Sequence, residues 1–211
     1  KVNGKILEVD AGAMMPNMAR VSLKYNLTGL EWAINIPGCL GGSINNNAGA
    51  YNSEVFDNLE SIKILTSNLE VKTIDKKDIK YSYRSTNIKE LGYIILGATF
   101  KLEMGDASAS KELIKDRCAR RLESQPLDMP SAGSVFRNPN NLYAGRLIEE
   151  VGLKGFRIGD AMVSVKHANF IVNMGNATSK DIKSLISLIH DKVEDKYNID
   201  LVLEQEILDW K

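Results

Sequence analysis

Ser131-Ala132-Gly133-Ser134-Val135-Phe136-Arg137-Asn138-Pro139 is the stretch on which the reading of this chain turns. It follows a Pro-bounded linker, Gln125-Pro126-Leu127-Asp128-Met129-Pro130. Small residues let the backbone approach a partner closely, and Gly133 can take a conformation that side chains forbid. Ser134 follows that glycine directly. Val135 and Phe136 are suited to pack inward, and Pro139 stops the segment. The expectation is a tight turn that presents the Ser134 hydroxyl with a cation and an amide close by. Such a hydroxyl could act as proton donor, nucleophile or ligand contact. The ordinary alternative is a Ser-rich turn or helix cap.

Upstream of this stretch, Ala107 to about Glu123 has helical periodicity through Leu113, Ile114, Arg117, Cys118, Arg121 and Leu122. It reads as a helix linking two domains, with Arg121 the charge best placed to enter a site. Further upstream lies Ile36-Pro37-Gly38-Cys39-Leu40-Gly41-Gly42-Ser43, then Asn45-Asn46-Asn47-Ala48-Gly49-Ala50-Tyr51. This run is nearly free of charge. Its amides could converge on an anion or lie against a flat ring, or the run could be a pair of tight turns. Neither the P-loop nor the dinucleotide-binding glycine spacing is present. Tyr81-Ser82-Tyr83-Arg84-Ser85 interleaves aromatics with an Arg, a pattern that stacks on rings and clamps carboxylate or phosphate. The alternative is an Arg on an edge strand.

Strands are expected over Lys5 to Val9 and Tyr93 to Leu102, and a hairpin over Ile62 to Ile74 about Ser67-Asn68. A helix opens at Pro16. Downstream, Ala144 to Val151 reads as a helix stopped by Gly152. Lys154 to Asp160 reads as a Gly-rich turn, and Ala161 to Val165 and Asn169 to Asn173 as strands. His167 lies between those strands as a hydrogen-bonded turn residue. Thr178 and Asp181 form a capping box for a helix with Ile182, Leu185, Ile186, Ile189, Val193 and Tyr197 on one stripe. Leu201 to Leu208 reads as a final strand, with Leu201, Leu203 and Ile207 on one face and Glu204 and Glu206 on the other. A carboxylate flanked by apolar residues is a candidate for a raised pKa.

Composition narrows the class. The 211 residues are 44% hydrophobic and 26% charged, with 27 basic against 27 acidic side chains. A chain without net charge is a poor candidate for non-specific nucleic-acid binding. No apolar run approaches a membrane span. Cys39 and Cys118 match no metal or redox spacing and read as free thiols. Two histidines, His167 and His190, make a His-based metal site improbable on composition.

The order of these motifs resembles one family. Ile-Pro-Gly-x-x-Gly-Gly with Asn-Ala-Gly-Ala-Tyr, then Tyr-Arg-Ser, then Gln-Pro with Pro-Ser-Ala-Gly-Ser-Val-Phe-x-Asn-Pro, then Ala-Gly-x-Leu-Ile-Glu and a terminal Leu-Glu-x-Glu are similar to the UDP-N-acetylenolpyruvoylglucosamine reductase (MurB) family. Gly152 to Phe156 and Val163 to Phe170 add to the likeness, which is to the shorter of the family's two forms. The resemblance runs from about Val9 to Leu208.

It implies an α+β fold. The second lobe of a two-lobed FAD-binding (PCMH-type) domain would span residues 1–105, with a linking helix over 106–126. A substrate-binding domain would span 127–211, its final strand returning to the active site. It also implies a cytoplasmic step of peptidoglycan synthesis, the reduction of UDP-N-acetylglucosamine enolpyruvate to UDP-N-acetylmuramate. NADPH would reduce FAD, which would pass hydride to the substrate's vinyl carbon. Ser134 would be the proton donor. Arg84 and Glu206 would handle the substrate carboxylate, Glu206 with a raised pKa. Tyr83, Arg121, Gln125 and Asn138 would contact substrate. FAD would lie along Pro37, Gly38, Gly41, Gly42, Ser43, Asn47, Ala48, Gly49, Ala50 and Tyr51. No metal is implied, and neither nucleic acid nor membrane is an expected partner.

The chain departs from the family's usual pattern at Asn46, Asn52 and Arg137, and in Ile207-Leu208-Asp209-Trp210, which replaces a more basic ending. A first flavin-binding lobe is expected ahead of Lys1, so the chain reads as an inactive, flavin-free piece. Two other readings fit parts of the pattern. One is a non-catalytic nucleotide-sugar-binding module. The other is a flavin oxidase of the same fold, for which His167 and Cys39 are the plausible tethers.

Overall fold

The computed structural model describes residues 1–208, so Asp209 and Trp210 of the ending noted above lie outside the described residues. The chain divides into two compact units, Lys1–Arg121 and Leu122–Lys211.

Unit 1 begins with β1 (Val2–Asn3), β2 (Ile6–Asp10) and α1 (Met15–Lys24). Pro16 sits in the first turn of α1, where a missing N–H does no harm. Met15, Met18, Ala19 and Ser22 recur at helical spacing and form its buried face. Next come β3 (Leu27–Thr28), a 3-10 turn over Glu31–Asn35, α2 (Leu40–Asn45), β4 (Gly49–Ala50), β5 (Ser53–Glu54) and α3 (Val55–Asn58). The unit continues through β6 (Leu59–Leu65), β7 (Val71–Asp75), β8 (Tyr81–Ser82), β9 (Ser85–Thr86), β10 (Ile94–Lys101) and β11 (Glu103–Met104). The helix α4 (Ala107–Ser124) follows, and the division between the units falls near its end.

The main sheet of unit 1 has the order β1-β2-β10-β6-β7, antiparallel throughout. Alternation along β6 puts Ile62 and Ile64 into a core with Leu7, Phe56, Phe100 and Trp32. The β6–β7 connection is longer than the expected turn at Ser67-Asn68. Leu69 leaves the strand at φ +61 and is 79% exposed, while Leu65 pairs with Val71.

Unit 2 contains β12 (Ser131–Ser134), α5 (Ala144–Glu150), β13 (Arg157–Ile158), β14 (Ala161–Val163), β15 (Phe170–Asn173) and α6 (Ser179–Tyr197). Its sheet runs β12-β15-β14-β13, again antiparallel. Leu185, Ile186, Ile189 and Val193 of α6 are buried with Val135, Phe136, Leu147, Ile148 and Val163. Thr178 caps α6 as expected: Asp181 N donates to Thr178 Oγ1 at 3.1 Å, and Thr178 N donates to Asp181 Oδ2 at 2.9 Å. Asn198 closes the helix in the left-handed conformation.

Three expectations change. The Ser131–Ser134 segment is a bulged strand rather than a tight turn. Ser131 pairs with Val172 and Ser134 with Phe170, so one extra residue is accommodated on β12, and Gly133 takes it up at φ +82. The stretch from Lys154 to Asp160 is more than a turn, because Arg157 and Ile158 form an edge strand against Met162 and Ala161. The final segment is not a strand. It makes one isolated bridge, Phe136 with Leu203, flanked by Arg137 N to Val202 O at 2.8 Å and Glu204 N to Val135 O at 2.9 Å. The ladder stops where Gly133 twists the facing chain, and there the Gln205 side chain donates to Gly133 O at 3.2 Å. Leu201 is buried, but Ile207 of the same expected face is 43% exposed.

Candidate active site

In unit 1, the charge-poor run between Ile36 and Tyr51 wraps against the segment after β2. Met15 N donates to Gly38 O, Leu40 N to Ala13 O and Gly41 N to Ala11 O, at 3.1, 2.9 and 2.9 Å. The Gly41 amide is therefore engaged by the protein itself. The run then forms the short helix α2 and the β4–β5 hairpin rather than two simple turns. Tyr51 and Asn52 occupy the hairpin tip at φ +56 and +59. A two-residue loop with both positions left-handed matches strand twist, and Asn tolerates it nearly as well as Gly, which explains Asn52. Gly49 cannot be replaced without movement, because a Cβ there would lie 2.4 Å from Ser53 O.

The sequence-assigned cofactor residues differ in exposure. Pro37, Gly38 and Gly42 are exposed, Ala48, Gly49 and Ala50 are half-buried, and Ser43 and Asn47 are buried. A Cβ on Gly42 would meet nothing within 4 Å. Alanine there would favour α2 by about 1 kcal/mol, so no contact within this chain requires the glycine. A bare backbone face beside Pro37 and Gly38 fits a flat cofactor such as FAD lying against it. Asn47 has a different place. It is fully buried at φ +42, and its Nδ2 donates to Ser82 O at 2.9 Å. Its Oδ1 is sealed with no partner among the described residues. The side chain ties the loop to β8.

Arg84 lies at the tip of the β8–β9 hairpin, at φ +56. Its guanidinium donates to Gly49 O at 2.6 Å and to Asn47 O at 3.4 Å. It also lies over the Tyr83 ring, 4.8 Å from the centroid, and Tyr83 is exposed. Thr86 Oγ1 donates to Asn45 O at 2.7 Å. The structure thus brings the sequence-assigned Arg84 and the sequence-assigned cofactor loop together. Sequence reasoning had kept them apart and gave no sign of Ser82 or Thr86.

On α4, Ser110, Ile114, Arg117, Cys118 and Arg121 face the rest of unit 1, while Leu113 and Leu122 are exposed. Tyr51 OH donates to Arg117 O at 2.9 Å, and the Arg117 guanidinium lies 5.0 Å from the Tyr51 ring centroid. Arg121 donates to Asn35 O, and burial lowers its pKa. Arg121 is therefore at the edge of the same loop system, with part of its charge desolvated.

Unit 2 holds Ser134, Glu206, Gln125 and Asn138. Ser134 is half-buried at the end of β12, directly after the bulge. The final segment bridges Leu203 to Phe136, and two residues on, Gln205 donates its side-chain amide to Gly133 O at 3.2 Å, next to Ser134 in sequence. Glu206 is exposed. Asn138 Oδ1 accepts from Ala144 N at 3.1 Å and so caps α5. Gln125 Oε1 and Arg137 Nε are buried and have no partner among the described residues. Asn169 is the residue sequence reasoning undervalued. It is buried, accepts from Phe136 N at 3.0 Å and donates to Phe136 O at 2.8 Å, acting as a surrogate strand. An Asn directly ahead of the apolar run Phe170-Ile171-Val172 was the available signal.

His167 is a turn residue, as expected: Asn169 N donates to its Nδ1 at 3.2 Å, and burial lowers its pKa. Cys39 and Cys118 are free thiols. No group of His, Cys, Asp and Glu suited to a metal ion occurs among the described residues.

Comparison with known proteins follows this division. Residues 1–75 match the family model of an FAD binding domain, and residues 125–208 match the C-terminal domain model of UDP-N-acetylenolpyruvoylglucosamine reductase. The UDP-N-acetylenolpyruvoylglucosamine reductase of Clostridium novyi is 42% identical over 205 residues, covering 97% of this chain and 67% of that protein. That of Caldanaerobacter subterraneus is 43% identical over 210 residues, covering 100% and 70%. The crystal structure of the Thermus caldophilus reductase superposes with a TM-score of 0.84 at 32% identity, covering 98% of this chain and 73% of that one. The chain spans about two thirds of the length of the curated relatives it matches. With an α+β fold, an FAD-binding unit and the family's C-terminal domain, the chain belongs to the UDP-N-acetylenolpyruvoylglucosamine reductase family of flavin-dependent oxidoreductases.

Proposed function

We propose that the protein reduces UDP-N-acetylglucosamine enolpyruvate to UDP-N-acetylmuramate, with NADPH as reductant, in the cytoplasm. FAD, when bound, supplies the hydride. Pro37, Gly38 and Gly42 would hold it through their bare backbone. The remaining chemistry falls to side chains. Adding hydride to an enol ether pushes charge into the neighbouring carboxylate, which needs a cation. Arg84 is assigned that role, and Glu206 is assigned a role toward the substrate carboxylate. The adjacent carbon then needs a proton, and Ser134 donates it. A serine hydroxyl is a weak acid in water, so this step requires a preorganised, water-excluded setting. Tyr83, Arg121, Gln125 and Asn138 orient the substrate.

One observation supports this reading: the final segment runs beside the chain that bears Ser134, bridging Leu203 to Phe136 and bonding Gln205 to Gly133 O, in a fold shared with the Thermus reductase. The test is Ser134→Ala in the protein with whatever residues its gene encodes ahead of Lys1. Flavin reduction by NADPH should be nearly intact. Flavin reoxidation by the enolpyruvyl substrate should slow about 100-fold or more, the effect of losing a positioned acid. Equal damage to both half-reactions would assign Ser134 to the fold or the cofactor instead.

A further inference from the structure

Arg84 sits in a conformation that needs an explanation. A non-glycine residue at φ +56 is disfavoured by about 1–2 kcal/mol, and such outliers persist only where the surroundings hold them. The two-residue turn of the β8–β9 hairpin, with Ser82 opposite Ser85, calls for that conformation, and the carbonyls of Asn47 and Gly49, which accept from the guanidinium at 3.4 and 2.6 Å, help to hold the side chain. Those carbonyls belong to the loop between α2 and β4 and to the first residue of β4. The same hairpin grips that loop twice more, through Ser82 O, which accepts from Asn47 Nδ2 at 2.9 Å, and through Thr86 Oγ1, which donates to Asn45 O at 2.7 Å. All four bonds join the same two short segments, 45–49 and 82–86. Neither segment carries a long regular element that could hold its shape alone. The loop's own backbone hydrogen bonds are local, including Asn47 N to Ile44 O and Ala48 N to Ser43 O, while Ala48 and Ala50 pack against the core.

We infer that the β8–β9 hairpin is a staple for the cofactor loop, and that Arg84 is a positioning residue for FAD in addition to its role toward substrate. The inference rests on the proposed placement of FAD against this loop. It makes cofactor affinity depend on Arg84 before any substrate is present. It also links the two sites, because a carboxylate that draws the guanidinium toward itself competes with the Asn47 and Gly49 carbonyls. Thr86, which carries no charge and is assigned no role toward substrate, shares the positioning function.

The experiment uses the full-length protein. FAD affinity and the visible flavin spectrum are measured without substrate or NADPH, alongside thermal midpoints. Arg84→Ala should raise the FAD dissociation constant tenfold or more and shift the visible band toward that of free FAD. Arg84→Lys keeps a donor and should recover part of both. Thr86→Val should move affinity in the same direction by a smaller factor. FAD affinities within twofold of the parent for Arg84→Ala and Thr86→Val would overturn the staple. Should Arg84→Ala fail to fold, Arg84→Lys and Thr86→Val decide alone. Gly42→Val separates the two levels of the argument. If it weakens FAD binding while Arg84→Ala and Thr86→Val do not, the staple alone fails. If it leaves FAD binding unchanged, the loop is not where FAD lies, and the staple falls with that placement.

Discussion

Glu31 is a buried carboxylate that sequence reading passed over. It is 8% exposed and accepts from Thr28 Oγ1 at 2.6 Å, Ser110 Oγ at 2.7 Å and Gly29 N at 2.9 Å. Burial pushes its pKa up, but these donors outweigh burial and hold it below 4.5. Glu31→Gln should destabilise unit 1 by about 1–3 kcal/mol, since the amide oxygen can keep both hydroxyls but the amide nitrogen, in place of Oε2, cannot accept from Gly29 N. The Glu31 contribution should be present above pH 4.5 and fade as pH falls through the lowered value. Trp32 is 1% exposed in this unit, so its fluorescence in urea, with Trp210→Phe removing the second indole, reads the effect. The two histidines of unit 2 act in opposite senses about 6.5. His167 is lowered, chiefly by burial, so its unfolded form gains a proton first and stability declines as pH falls below 6.5. His190 is raised, chiefly by Asp200 at 2.8 Å, so its contribution is full below 6.5 and disappears as pH rises through the raised value. Unit 2 should therefore be most stable near pH 6.5, and His190→Gln should remove the decline on the alkaline side only. A decline on that side that persists in the variant would sink the assignment.

At the scale of elements, α6 and the final segment make the useful contrast. The α6 stripe and its cap were legible because both depend on residues within one or two turns. Thr178→Ala removes the hydroxyl that accepts from Asp181 N and should lower the stability of unit 2 by about 1 kcal/mol. Urea midpoints compared with Ser179→Ala, one residue inside the helix, check that the loss comes from the cap. Leu201 to Leu208 has an alternating pattern but becomes only one bridge, because a strand needs a partner able to stay extended. Its partner ends at a glycine with φ +82. The same glycine converts the expected turn at Ser131–Ser134 into a bulged strand. Whether a Gly in such a stretch makes a turn or a bulge is set by what lies alongside, here β15.

At the scale of the molecule, each unit has a separate buried cluster, and residues 122–211 expressed alone should fold with a single cooperative urea transition and helical circular dichroism. A broad, non-cooperative loss of signal would show that unit 2 requires unit 1. The sequence by itself determined the family and most of the long elements. Those depend on residue order, hydrophobic period and local capping, all of which are linear along the chain. It also pointed to Ser134, Arg84 and the Pro37–Tyr51 loop as the stretches that carry chemistry. Only the tertiary structure decided what those residues hold. It gave Arg84 to the carbonyls of Asn47 and Gly49, sealed Asn47 into the interior, turned Asn169 into a surrogate strand and engaged the Gly41 amide with Ala11. Each of these bonds joins residues about 30 or more positions apart. Such pairings follow from which backbone groups are left without partners once the elements pack, and that is a property of the assembled fold, not of any single stretch.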